Sequence, residues 1–351
     1  MNDTDDAVPR SRDAAEDWWI YLGDGGPHEG IEELPPPPPW RSFSGGPLIE
    51  PRFAPDDMVA RRLGAEERAR AYRASDPAIN MVNTALYLRR PLLVTGKAGI
   101  GKSTLAFSIA YELGLGPVLN WPVTSRSVLR DGLYGYDAIG RLQEANMNQL
   151  AGQPAAAPDI GQFIRLGPLG TALLPQARPR VLLVDELDKS DIDLPNDLLN
   201  VFEEGSFEIP ELTRLPDTED MTTVMTHDTL GRVPVRRGKI TCNAFPIVVI
   251  TSNGERTFPA PFLRRCVRLE IQQPGQQALA DIVAAHLGPQ AVQRSLPIIE
   301  RFLERRADGD IATDQLLNAV YFATSGTHAP GSARELVEAE LLRPLDSPLA
   351  T

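Results

Sequence analysis

Residues 91–107 read PLLVTGKAGIGKSTLAF, and this stretch decides the fold. Its centre, GKAGIGKS at 96–103, fits the phosphate-loop pattern G-x-x-x-x-G-K-[ST] at every fixed position. A short apolar run precedes it, and an apolar stripe at helical spacing follows it at Leu105, Ile109 and Leu113. A glycine-rich turn that binds nothing is the alternative, but chance matches seldom have a strand before them and a helix after them. The stretch therefore predicts a strand, a loop whose backbone N–H groups surround phosphate, and a helix.

The sequence of the loop also predicts which groups its residues bind. Lys102 is expected to reach the β- and γ-phosphates of ATP, and the Ser103 hydroxyl is expected to ligate Mg²⁺. The predicted nucleotide-binding set consists of Gly96, Lys97, Ala98, Gly99, Ile100, Gly101, Lys102, Ser103 and Thr104.

Charge and proline are concentrated in the first 60 residues. This segment holds 13 acidic and 4 basic side chains and 10 of the 32 prolines, which predicts an extended acidic arm that is partly disordered or laid over the body. Its aromatic cluster around Trp18 and Trp19 either docks a partner protein or pins the arm to its own domain. Because the arm accounts for −9 of the net charge of −12, the rest of the chain carries only −3. A body without excess positive charge disfavours nucleic-acid binding.

The remaining composition is that of a soluble globular protein with one large domain or two to three smaller ones. Cys242 and Cys266 are the only cysteines, and they lack the spacing of a zinc site or a disulfide framework, which predicts a reducing compartment. The N-terminus has no apolar signal segment, and no apolar run reaches 18 residues. We therefore expect a cytoplasmic protein without membrane contact.

A second chemical landmark is the apolar run at 181–184, which ends in Asp185 and Glu186. Such a continuous run is typical of a buried parallel strand, and ligands of α/β sheets bind at the carboxyl ends of strands. Asp185 is expected to hold Mg²⁺, and Glu186 to orient or deprotonate the water that attacks the γ-phosphate. The alternative, that the two acids cap the next helix, is weakened by the phosphate loop upstream.

Three further polar residues flank predicted strands. Asn253 comes after the run at 247–250 and either positions the attacking water or simply forms a turn before Gly254. Arg264 and Arg265 precede a final strand, where an arginine either completes a neighbouring subunit's site or forms a surface ion pair.

These patterns predict an α/β chain in three parts: an arm at 1–60, an α/β nucleotide-binding domain at 61–274, and a helical domain at 275–351. Thr213 to Arg236 is predicted to be a long inserted loop, and FIRLGPLGTALLP at 163–175 a hairpin or loop. Tyr134 and Tyr136 flank a glycine. They either grip a peptide in a central channel or pack on their own domain.

The ordered segments VLLVDELDK at 181–189, VVITSN at 248–253, FLRRC at 262–266 and GSAREL at 331–336, together with the phosphate loop, resemble the AAA+ ATPases. The stretches at 90–104, 166–175 and 202–211 resemble the MoxR branch. The resemblance covers about residues 75–345. It implies a P-loop parallel sheet with helices on both faces and a small all-helical lid. It also implies a sensor 1 role for Asn253, an arginine finger at Arg265 or Arg264, and a sensor 2 role for Arg334.

The same resemblance implies a homo-oligomer, a hexameric ring, that hydrolyses Mg-ATP to remodel client proteins, often beside a partner with a von Willebrand factor A domain. The acidic arm and the insert depart from typical MoxR proteins, which leaves the identity of the partner open, and the combination of arm and core resembles MoxR-type ATPases of bacterial conflict or signalling systems. Two other functions stay open. One is a nucleotide-gated binding module with little turnover, and the other, disfavoured by charge, is a DNA-acting AAA+ protein.

Overall fold

The structure, a computed structural model, describes residues 17–51, 53, 69–150, 158–216, 220–229, 231–308 and 311–324. Its helices are α1 (Asp76–Leu88), α2 (Lys102–Glu112), α3 (Leu129–Leu133), α4 (Ala138–Leu150), α5 (Pro168–Ala172), α6 (Leu194–Glu204), α7 (Pro210–Thr213), α8 (Ala260–Leu263), α9 (Gln276–Leu287), α10 (Pro289–Asp308) and α11 (Thr313–Thr324). Its strands are β1 (Leu92–Thr95), β2 (Leu119–Pro122), β3 (Tyr134–Tyr136), β4 (Ile164–Leu166), β5 (Val181–Asp185), β6 (Ser206–Glu208), β7 (Met221–Met225), β8 (Arg232–Arg236), β9 (Lys239–Thr241), β10 (Ile247–Ser252) and β11 (Val267–Glu270).

Five strands form a parallel sheet in the order β11, β1, β10, β5, β2. Successive side chains of a strand point to opposite faces of the sheet, and here both faces are buried. Leu93 belongs to one apolar cluster, whereas Leu92 and Val94 belong to another. This double burial explains why the strands read as continuous apolar runs in the sequence.

Helices cover both faces of this sheet. The cluster on one face includes apolar side chains of α1 and α2, and the cluster on the other includes those of α5, α6 and α8. After β11 the described chain is helical, and α9, α10 and α11 enclose a third apolar cluster of their own. The predicted fold class, a P-loop α/β sheet core followed by a helical region, is confirmed.

Within the segment predicted to be a long loop, 213–236, the residues Met221–Met225 and Arg232–Arg236 form the two strands of a β-hairpin instead. β7 and β8 pair antiparallel, with Met221 opposite Arg236 and Met225 opposite Arg232. They belong to a second sheet of six strands in the order β3, β4, β7, β8, β9, β6. Burial alternates along both strands, so each has the period of two that a half-buried strand requires. The period is not evident in the sequence because Thr222 lies on the buried face, while Thr223, Arg232, Pro234 and Arg236 lie on the exposed face.

The stretch 163–175 also differs from the expected hairpin or loop. Its first part is β4, but Pro168–Ala172 forms helix α5, which begins with a proline at a position where the missing N–H is harmless. β4 pairs with β3. The glycines that indicated a turn serve close packing instead, since a Cβ on Gly170 would lie 2.0 Å from the backbone oxygen of Leu133.

The described part of the N-terminal arm lies on the body and is anchored by buried polar side chains. The Asn83 Oδ1 accepts the backbone N–H groups of Ile20 (2.7 Å) and Tyr21 (2.9 Å), and its Nδ2 donates to the Tyr21 oxygen (2.8 Å). The fully buried Glu112 accepts N–H groups of Leu22 and of Gly23 (3.1 Å). Trp19 donates its ring N–H to the Asn80 Oδ1 (2.9 Å), and the Trp18 ring packs edge-on against Tyr87, so the aromatic cluster pins the arm to its own domain, as one of the two interpretations predicted.

Among the described residues, no helix combines the length and the apolar content needed to cross a membrane. Arg334, to which the resemblance assigns a sensor 2 role, lies outside the described residues.

Candidate nucleotide site

The phosphate loop connects β1 to α2 and depends on three glycines with positive φ. Gly96, Gly99 and Gly101 have φ of 146°, 71° and 91°, a region that other residues rarely adopt. A Cβ on Gly96 would lie 2.7 Å from the backbone oxygen of Ile271, so no side chain fits there. α2 then begins at Lys102. The free N–H groups at the start of this helix therefore face the loop, as an anion site requires.

Lys102 lies buried at the centre of the site, with 7% of its surface exposed. Its ammonium donates to the backbone oxygens of Gly96 (2.8 Å) and Lys97 (2.7 Å) and to the Oδ1 of Asn253 (2.8 Å). Burial lowers the pKa of Lys102, while the negative charges of Asp188, Asp185 and Glu186 act in the opposite direction. The side chain thus crosses from the loop to the end of β10.

Ser103 and Asp185 meet at hydrogen-bond distance. The Ser103 hydroxyl donates to the Asp185 Oδ1 at 2.7 Å, and the hydroxyl of Thr251 donates to the same oxygen at 2.7 Å. Within the described part of the chain, no group of three or more His, Cys, Asp or Glu side chains forms a ready-made metal site. One hydroxyl and one carboxylate are nevertheless the donor set of an ion that takes its other ligands from phosphate and water, which fits Mg²⁺.

Glu186 has a left-handed backbone, with φ of 59° and ψ of 49°, at the sharp turn after β5. Its backbone N–H donates to the Thr251 hydroxyl (2.8 Å). Its Oε1 accepts from the Nδ2 of Asn253 (3.3 Å), and its Oε2 pairs with the ammonium of Lys189 (2.6 Å). Positive φ in a non-glycine residue is uncommon and concentrates at functional sites.

Asp188 is a site residue that sequence reading missed. It has only 2% of its surface exposed, and its Oδ2 accepts the backbone N–H groups of Asn253 (2.9 Å) and Glu255 (3.1 Å). Its Oδ1 has no hydrogen-bond partner in the described structure. The available signal was an acid in the run DELDK, directly after a buried leucine. Thr251, which supports both Asp185 and Glu186, was also missed.

Arg264 and Arg265, the arginine pair, lie far from the edge of the sheet that carries the phosphate loop. Val267 pairs with Leu92, the first residue of β1, so Arg264 and Arg265 precede the amino ends of the strands. Four residues at about 3.3 Å each separate them from the loop along the sheet, roughly 13 Å. Arg265 donates to the Glu203 carboxylate (2.8 Å) and to the Pro261 oxygen (3.2 Å), both outside the phosphate loop. The fold therefore does not bring the arginine pair to the chain's own loop.

The two tyrosines of the Tyr134–Tyr136 strand differ in environment. Tyr134 is buried and donates its hydroxyl to Glu211 (2.8 Å), and the Arg130 guanidinium lies over its ring. Burial, together with Glu211, raises the pKa of Tyr134 to about 12. Tyr136 is half-buried and accepts from Arg141 at 3.4 Å. Tyr134 therefore packs on its own domain and is not available as a grip for a peptide.

No family model and no curated protein matches the chain. Among solved structures it is similar to a mutant of RuvB from Thermotoga maritima, with 15% sequence identity and a TM-score of 0.30. The alignment covers 66% of this chain and 62% of that one, which is less than two thirds of its length. A similarity this weak does not bear on function, which has to be argued from the site itself.

Proposed function

We propose that this chain is an AAA+ ATPase that hydrolyses ATP with Mg²⁺. The observation that carries the proposal is the convergence of three strand ends. Lys102 follows β1, Asp185 and Glu186 follow the buried run of β5, and Asn253 follows β10, and one set of hydrogen bonds joins them. In parallel α/β sheets the carboxyl ends of the strands are where ligands bind.

In this proposal each side chain acts on a different part of ATP. The three loop glycines leave room for the β- and γ-phosphates against the start of α2. Lys102, now donating to its own loop, turns its ammonium to the phosphate oxygens when they arrive. Ser103 and Asp185 hold the magnesium ion, which neutralises developing phosphate charge when bound. Glu186 and Asn253 orient the attacking water between them, since their side chains already share a hydrogen bond.

We infer that a neighbouring subunit supplies a further cation to this site. An arginine finger stabilises the charge that develops on the transferred phosphoryl group. Because Arg264 and Arg265 lie at the opposite end of the sheet from the chain's own loop, we infer that they serve a neighbouring subunit. This need for a second subunit supports a homo-oligomeric ring, and the family resemblance favours six subunits.

The finer proposal is a MoxR-type ATPase that remodels or activates partner proteins. It rests on the sequence resemblance alone, and it includes a partner with a von Willebrand factor A domain. The contact between Glu186 and Lys189 favours a second candidate, a nucleotide-gated module with little turnover, because an ion pair at 2.6 Å occupies one of the two carboxylate oxygens that would orient the attacking water.

A Glu186→Gln variant tests the proposal. We expect it to bind Mg-ATP as the wild type does and to hydrolyse it at least about a hundredfold more slowly, because only the water-positioning group changes. Lys102→Ala, the matched comparison, should lose binding and turnover together. Equal loss of binding in both variants would contradict the role given to Glu186. A wild-type protein that binds ATP with no measurable turnover would favour the gated module.

Mixed oligomers test the finger. An Arg264→Ala, Arg265→Ala protein and a Lys102→Ala protein should each be inactive, and mixing them should restore part of the turnover because some interfaces then pair an intact loop with an intact arginine. Verified mixed oligomers without recovered activity would refute a finger that acts between subunits.

A further inference from the structure

A cavity lies on the opposite side of the fold from the phosphate loop. It has a volume of about 370 Å³ and opens between the arm at 31–37, the end of α1, and the segments that lead into β5 and β10. Cavities of a few hundred Å³ with mixed apolar and polar walls are typical of small-molecule sites. None of the residues proposed to bind ATP lines it.

The cavity combines an apolar wall with clustered arginines. Ile31, Leu86 and Phe245 are buried apolar side chains of the wall. Four arginines line the same space, Arg41, Arg89, Arg90 and Arg178, and the carboxylate that lines it is that of Glu32. Glu32 pairs with Arg178 at the exposed rim. The inner wall therefore carries an excess of positive charge.

The deepest of these arginines is Arg41, with 4% of its surface exposed. Its guanidinium donates to the Phe202 oxygen and to Glu203 (3.3 Å) and lies 5.5 Å from the centre of the Phe245 ring. Burial lowers the pKa of Arg41, and the charges of Arg90 and Arg265 lower it further against the opposing effect of Glu203. An anion in the cavity would relieve this repulsion between like charges.

The guanidiniums also keep donors free for a ligand. An arginine has five N–H donors. Among the described residues, Arg90 donates one hydrogen bond, from Nη1 to the Arg264 oxygen at 3.3 Å. Arg89 donates to the oxygens of Leu86 and Pro35 from the edge of the cavity. Guanidiniums bind phosphate oxygens in pairs, which suits a ligand with two negative charges on one small group.

We propose that this cavity binds a small organic phosphate, with the phosphate against Arg41, Arg89 and Arg90 and an apolar body against Leu86 and Phe245. The rival explanation is that the arginines only hold the proline segment on the body. The two differ because a purely structural cluster has no affinity for such a compound.

Binding of a phosphate in the cavity also affects the contacts that support Arg264 and Arg265. Glu203 accepts from both Arg41 (3.3 Å) and Arg265 (2.8 Å), and Arg90 holds the backbone oxygen of Arg264. A phosphate that draws Arg41 and Arg90 inward weakens this support. The site is therefore expected to regulate ATP turnover, a consequence that rests on the proposed function.

Binding is tested with 1-naphthyl phosphate by calorimetry on the full-length Lys102→Ala protein, in which the phosphate loop is disabled. We expect a Kd on the order of 10–100 µM, and at least about tenfold weaker binding for 1-naphthol, which lacks the phosphate. Arg90→Gln added to this protein should weaken binding at least about tenfold. Arg232→Gln, a charge-matched change on exposed β8, should leave it within about twofold.

Three results would overturn the proposal: no saturable binding at about 1 mM, equal binding of 1-naphthol, or no effect of Arg90→Gln. If Arg90→Gln lowers the melting temperature, Arg89→Gln provides the same test at another half-buried arginine of the proposed phosphate site. This binding measurement needs no ATP hydrolysis, so it stands if the proposed function fails. In wild-type protein, saturating probe should change turnover at least about twofold, and Arg90→Gln should abolish that change. Binding without an effect on turnover would refute the coupling.

Discussion

Replacement of Asp188 distinguishes two ways in which this buried carboxylate can support the nucleotide site. It can act through its negative charge or as a hydrogen-bond acceptor. Both of its hydrogen bonds go to one oxygen, Oδ2, which accepts the N–H groups of Asn253 at 2.9 Å and Glu255 at 3.1 Å. Asp188→Ala removes this acceptor. Asp188→Asn keeps a carbonyl oxygen in its place and puts an amide where Oδ1 now has no partner. The two variants therefore differ in the acceptor, while both lose the charge.

The expected loss of stability follows from the two donors. Asp188→Ala leaves two buried N–H groups without an acceptor, and each costs about 1–3 kcal/mol, so the free energy of unfolding should fall by about 2–6 kcal/mol. That corresponds to a decrease in melting temperature on the order of 10 °C. Asp188→Asn should cost less than about 1.5 kcal/mol, because both bonds persist and only their charge-assisted part is lost.

Turnover should follow the same order. Displacement of Asn253 by about 1 Å lowers the rate by about a hundredfold, which we expect for Asp188→Ala. Asp188→Asn should stay within about tenfold of wild type, although the pKa of Lys102 loses the raising effect of the Asp188 charge. Urea denaturation and phosphate release measure the two quantities on the same samples. If the two variants are equally unstable and equally slow, the charge and not the acceptor is what matters, and the reasoning is refuted.

Three further predictions concern the arm, the thiols and Tyr134. Asn83→Ala should lower the free energy of unfolding by about 3 kcal/mol or more and expose the arm to limited proteolysis. Asn80→Ala, which removes one half-buried hydrogen bond, should lower it by about 1 kcal/mol. Equal effects of the two variants would contradict the anchoring of the arm by Asn83. Burial raises the pKa of Cys242 and of Cys266 to about 12. Native protein at about pH 8 should therefore resist iodoacetamide, whereas unfolded protein should react at both thiols. Rapid alkylation of the native protein would show that the thiols are accessible. Tyr134→Ala should lower the free energy of unfolding by about 3 kcal/mol or more, and Tyr134→Phe, which removes only the hydroxyl, by about 1 kcal/mol. An unchanged melting temperature of the alanine variant would contradict the burial of Tyr134.

The elements around the phosphate loop could be predicted because their signals are local. The glycine spacing at 96–103 requires positive φ within a few residues, and the strands β1, β5 and β10 show continuous apolar runs because both of their faces are buried. Val181–Asp185 and Ile247–Ser252 therefore lie where the apolar runs indicated.

The second sheet could not be predicted in the same way. β7 and β8 are each half-buried, and their exposed positions carry threonine, arginine and proline, which sequence reading attributes to loops. They are strands because β7 and β8 pair with each other, β7 pairs with β4 and β8 pairs with β9. Asp188 escaped notice for a related reason, since its two partners lie 65 and 67 residues away in the chain.

The sequence by itself determined the phosphate loop, the order of β1, β5 and β10 along the chain and the polar residues at the ends of these three strands, because backbone geometry and burial leave marks within a few neighbouring positions. Only the tertiary structure decided which distant groups meet. It brought Lys102 to Asn253 and Ser103 to Asp185, fixed the arm through Asn83, and left Arg264 and Arg265 at the opposite end of the sheet. Hydrogen bonds and ion pairs of this kind depend on strand order and register, which are set by burial of the whole sheet and not by any local stretch of sequence.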